Sequence, residues 1–149
     1  MDAVRLISVG RSALARCGDG AQIVAEAWQA HALAQAVGGL LARTGPEGAR
    51  AEAGALCEAG AWPRALPGGG AGVRAARLTE VREPGRAVRE LGLLLGAVGA
   101  VLAEVAAGTE EEALYWQCLE AIDATGECAD RAAGLLHRLT AAPADGPPG

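Results

Sequence analysis

The feature that constrains this chain most is a run of apolar residues between Pro84 and Ala107. Val88, Leu91, Leu95, Val98, Leu102 and Val105 recur at steps of three and four, which aligns all six along one edge of an α-helix. Such a seam, sustained over two and a half heptads, must be covered by other helices. Gly92, Gly96 and Ala100 follow at four-residue spacing, and a neighbouring backbone is expected to approach closely there. Gly108 is predicted to stop the helix. The uncharged stretch from Leu91 to Ala103 is 13 residues long, short of the roughly 20 needed to cross a bilayer. A bundle core is therefore expected, with no membrane span.

The flanking segments carry the same period. Ala3, Leu6, Ile7, Gly10, Ala13, Leu14 and Cys17 define a first helix over about 2–17, and Asp19 can cap the next one. This second helix, over about 19–43, carries Ile23, Ala27, Ala30, Ala34, Val37 and Leu41 on a narrow face and ends before Thr44-Gly45-Pro46. A third, over about 46–60, aligns Ala49, Ala53, Leu56 and Gly60, and a short one is predicted within 73–82. Thr109 and Glu112 have the spacing of a capping box, with Glu110 and Glu111 at the positive end of a long last helix reaching Leu139. No strand pattern and no internal repeat is present. The expected architecture is all-α, an up-down bundle of four to five helices in one domain over 1–140. A Gly/Pro-rich connection at 61–72 interrupts it, and a disordered tail is expected at 141–149.

Composition decides how such a core is built. The chain has 36 Ala, 22 Gly and no Phe, so its large anchors are few: Trp28, Trp62, Trp116, Tyr115 and the aliphatics. Small side chains bury little area each, so helices must approach closely. All 13 basic residues are Arg, a usage typical of GC-rich genomes. A net charge of −5 excludes the basic footprint of a nucleic-acid binder. The charge is polarised, with a balance of +3 over 1–89 and −8 over 90–149.

No catalytic or cofactor motif stands out. Cys17, Cys57, Cys118 and Cys128 contain no CxxC pair, and all four are expected to be buried, reduced thiols. Met1-Asp2-Ala3-Val4 does not open a signal peptide, so a cytoplasmic protein is expected. Gly10-Arg11-Ser12-Ala13-Leu14 lacks the second Gly of a nucleophile elbow, and Gly68-Gly69-Gly70-Ala71-Gly72 lacks the Lys and Ser/Thr of a phosphate loop. Neither His31 nor His137 completes a Glu-x-x-His pair, so no metal is expected.

The last helix is the most informative segment. Leu114, Cys118, Ala121, Thr125, Ala129, Ala132, Leu136 and Leu139 form its apolar face at 100° per residue. Glu112, Trp116, Asp123, Glu127 and Asp130 fall opposite, with Glu120 and His137 at the flanks. A Trp inside an acidic stripe suits a contact surface, since exposed aromatics are enriched at interfaces. The expected partner-binding set is Glu112, Tyr115, Trp116, Gln117, Glu120, Asp123 and Glu127, and a non-enzymatic interaction or regulatory role is expected. A partner rich in Arg or Lys is implied, which another copy of the chain could supply through the six Arg of 64–89. The alternatives are a ligand-binding or enzymatic bundle with a pocket near Trp28 and His31, and a peripheral membrane or envelope-associated factor.

Three segments carry a resemblance. Met1-Asp2-Ala3-Val4-Arg5-Leu6-Ile7, Ala25-Glu26-Ala27-Trp28-Gln29-Ala30 and the segment from Glu110 to Ala124 (EEEALYWQCLEAIDA) resemble, in order and spacing, an uncharacterised family of short helical proteins from streptomycete-type actinobacteria, a domain of unknown function. The resemblance implies an actinobacterial source and a helical fold. It implies no activity, cofactor or catalytic residue.

Overall fold

Helix formation follows the caps and periods of the sequence. The computed structural model describes residues 1–61 and 73–141. Asp2 accepts from the Val4 N–H at 3.2 Å and starts α1, Ala3–Ala15. Asp19 accepts from the Gln22 N–H at 2.8 Å and starts α2, Gly20–Thr44, while the Gln22 side chain accepts from Gly18 N–H at 2.6 Å. These two bonds satisfy backbone donors that a helix start leaves open. Pro46 leads into a 3₁₀ turn, Glu47–Ala49, and then α3, Arg50–Gly60. Pro84 opens α4, Pro84–Gly108, where its missing N–H costs nothing. A short connection returns the chain into α5, Glu112–Ala141. The bundle is all-α, as the periodicities imply. The connection at 62–72, with Trp62, and the tail at 142–149 lie outside the described residues.

Helix α2 packs against α1, α3, α4 and α5, and α4 pairs with α5 as a hairpin. The α4 seam is the centre of the core: Leu91, Leu95, Val98 and Leu102 are fully buried, and Val88 nearly so. Ala49, Ala53, Leu56 and Gly60 of the third segment are all buried, as their spacing requires.

Four expectations need correction. The close approach does not occur at Gly92, Gly96 and Ala100. A Cβ added at Gly92 or Gly96 would meet nothing within 4 Å, and Gly96 and Ala100 are exposed. The close approach lies between α2 and α3 instead. A Cβ on Gly38 would sit 2.5 Å from the Cys57 nitrogen and 2.7 Å from the Ala53 oxygen, and one on Gly60 would sit 2.5 Å from both Gln35 N and His31 O. Glycine at these two sites lets the backbones touch. The short helix of 73–82 is a 3₁₀ turn, Arg74–Arg77, followed by extended chain. Ala3 N–H donates to Glu80 O and Thr79 N–H to Met1 O, both at 3.0 Å, and Arg82 N–H donates to Asp2 Oδ1 at 3.0 Å. The start of the chain satisfies this segment's backbone, which removes the need for a helix. Thr109 accepts from the Glu111 N–H at 3.1 Å, not from Glu112, so a Thr turn replaces the capping box. Finally, Cys118 and Cys128 are buried but Cys17 and Cys57 are half-buried; all four are free thiols.

By length and composition α4 is also apolar enough to cross a membrane, with a mean hydropathy of 2.0 over its most apolar 18 residues. Eighteen residues reach past the 13-residue uncharged stretch and take in flanking charge.

Candidate functional site

The buried side of α5 determines what its other side presents. Cys118, Ala121, Ala124, Thr125, Cys128, Ala132 and Leu135 face the core. The buried stripe is therefore turned slightly from the expected one: Leu114, Ala129, Leu136 and Leu139 are half-buried at its edge. Trp116 falls on the far side and is 59% exposed, the most exposed aromatic among the described residues. Tyr115, 38% exposed, meets it edge to face with ring centroids 5.3 Å apart. Such a T-shaped arrangement is a favoured one for aromatic rings.

Most of the acidic residues expected beside Trp116 are where the period puts them. Glu112, Asp123 and Glu127 are exposed. Glu127 is bound by Arg131 at 2.9 Å, a residue one helical turn on whose charge offsets it. The acidic character of the stripe is thus strongest around Glu112 and Asp123, closer to Trp116. Glu120 is half-buried and sits at the margin of the surface. Gln117 belongs elsewhere. It lines an open groove with Asp19, Gly20, Thr109, Glu110 and Leu114, where the start of α2 meets the start of α5.

The alternative site has a different character. His31 is 1% exposed, and its Nε2 lies 2.7 Å from Thr125 Oγ1 across the α2–α5 contact. Trp28, also buried, meets the imidazole edge to face at 5.0 Å. Burial pushes the His31 pKa down to about 4. His31 Nδ1 has no hydrogen-bond partner among the described residues. This is a packed, neutral histidine. The small cavity nearby, about 10 Å³, lies between α1, α2 and α4 and is bordered by Leu6, Gly10, Leu33, Arg74, Leu94 and Val98. It holds about one water and is lined by neither Trp28 nor His31. An ion pair between Arg74 and Glu26 and a 3.1 Å bond from Arg74 N–H to Gln29 Oε1 pin the 3₁₀ turn beside it. Burial raises the Cys128 thiol to about 12 and also raises Cys118, so both are held protonated. Among the described residues, no group of three or more His, Cys, Asp or Glu side chains could hold a metal ion.

Sequence reasoning missed two features of the surface. Arg131 was readable from its four-residue spacing to Glu127. Leu93, 61% exposed on α4, was hidden inside an apolar run whose outward face cannot be told from its inward one by composition.

No curated protein and no solved structure matches the chain. One family model does, over residues 1–138, which takes in all five helices almost to the end of α5. The chain belongs to that family, a family of unknown function designated DUF6099.

Proposed function

We propose that this protein is a non-enzymatic interaction module that engages a basic protein surface through the outer face of α5. The observation that carries the reading is Trp116: a large aromatic left 59% exposed, in edge-to-face contact with Tyr115, with exposed Glu112 one turn before it and exposed Asp123 two turns after it on the same helix face. A rigid amphipathic ring anchors a partner at low entropic cost, and the surrounding carboxylates select an Arg- or Lys-rich counterpart. His31 is packed and neutral, and the one-water cavity between α1, α2 and α4 is lined by neither Trp28 nor His31, which favours the α5 surface over a site at those two residues. A cytoplasmic setting fits the free thiols of Cys17 and Cys57 and belongs to the same proposal.

Retention of partners on immobilised wild-type protein, compared with Trp116→Ala, tests the reading. Binding should fall about tenfold or more, and should weaken further as salt is raised. Helicity and melting temperature should stay within error of wild type. Loss of stability with unchanged binding would make Trp116 a packing residue and end the proposal.

A further inference from the structure

Helix α4 presents a second surface that the α5 reading does not use. Only 28% of its most apolar window is buried, although the helix runs through the core. The outward side carries Leu93, 61% exposed, together with exposed Gly96, Ala97 and Ala100. This apolar face ends in basic residues on one side, Arg89 and, a turn further out, Arg86 paired with Glu83, and in Glu104 on the other. Arg89 lies on it seven residues before Gly96, and Glu104 lies on it seven residues after Ala97. Both are exposed, and neither has an ion-pair partner among the described residues.

We infer that this face is the contact between two copies of the chain, with their α4 helices antiparallel about a two-fold axis between Gly96 and Ala97. The pattern is self-complementary about that point. Leu93 stands three residues before Gly96 and Ala100 three after Ala97, so each leucine meets the small residue of the other copy. Gly96 and Ala97 face each other at the centre, where the absence of bulk lets the helix axes come close. At each end, Arg89 of one copy meets Glu104 of the other. A parallel arrangement would set Arg89 against Arg89 and Glu104 against Glu104, so the charges also select the orientation. Glu104 on the same face disfavours insertion into a lipid surface, which would have to bury it. An isologous contact of this kind closes at two copies.

Sedimentation velocity on the full chain across a concentration series tests the inference. The wild type should be a reversible dimer. Ala97→Arg should be monomeric with an unchanged circular dichroism spectrum, since Ala97 is exposed in the single chain. R89E and E104R should each weaken the dimer by about tenfold or more, and the double variant should recover to within about threefold of wild type. That recovery carries the test should Ala97→Arg fail to fold. Four results would overturn it: a wild type that stays monomeric, a dimer indifferent to Ala97→Arg, a double variant no better than the singles, or binding of anionic phosphatidylglycerol vesicles that Ala97→Arg abolishes.

Discussion

His31 shows how one buried polar residue sets a pH limit on this fold. Its imidazole is sealed between Trp28 and Thr125, and desolvation holds its pKa at about 4 against 6.5 for the free group. The folded state therefore favours the neutral ring. In the window between these values the unfolded chain binds the extra proton and the folded chain does not. Stability is fully present above about pH 6.5 and is lost as the pH falls through the window, levelling below about 4. The loss should reach about 3 kcal/mol. Urea unfolding at intervals from pH 7 to pH 4 measures it. His31→Gln should be less stable at pH 7, because it disturbs the Trp28 contact, but should flatten the slope within that window. A slope that survives the substitution would assign it to other groups. The sequence located His31 beside Trp28 but could not supply Thr125, which is 94 residues away and reaches it only when α5 closes on α2.

At the scale of elements, the seam and the glycines make opposite demands. Leu95 is fully buried in α4, so Leu95→Ala should cost roughly 2–5 kcal/mol, read from denaturant midpoints at constant m. Gly38 needs its missing Cβ because backbone of α3 occupies the space; Gly38→Ala should cost about 1–3 kcal/mol by forcing the helices apart. Gly134 is exposed in α5 with nothing within 4 Å, and Gly134→Ala should instead gain about 0.5–1 kcal/mol. The same chemical change thus reverses sign with its surroundings. This contrast also explains what the sequence revealed. Apolar period placed the long helices and the burial of the seam from Val88 to Leu102, and Asp19 marked the start of α2, because each is a local property. The capping box expected at Thr109 and Glu112 was not formed. The period also put Trp116 outside, since Cys118, Ala121 and Thr125 fix the other face. It could not distinguish Gly96 from Gly38. Both are glycines in helices, and only the path of α3 past α2 makes one a contact and leaves the other bare. The extended segment after Arg77 was equally hidden, since the groups that satisfy it belong to the first three residues.

The whole molecule is organised around α2, which touches every other helix, and the buried residues form one connected core. A fold in which one helix packs against each of the others loses part of every helix's burial when that helix is removed, although α4–α5, α3–α5 and α1–α4 also pack directly. Removing α2 from the α4–α5 hairpin would take away the His31 partner of Thr125 and open the small cavity that α2 helps to enclose beside Leu94 and Val98. Unfolding should therefore be a single cooperative transition. Trp28, 7% exposed at the centre of α2, is a suitable reporter of the core, and Trp62→Phe with Trp116→Phe leaves it as the only tryptophan. Thermal unfolding of that variant followed by helicity and by Trp28 fluorescence should give superimposable curves, with equal calorimetric and van't Hoff enthalpies at a fixed concentration once dissociation is included. If the α4 faces pair in solution, the common midpoint should rise with protein concentration, and Ala97→Arg should abolish that rise while keeping the curves coincident. Helicity that persisted after Trp28 had become exposed would mean that the α4–α5 hairpin holds together without α2, and the shared-helix account of cooperativity would fail.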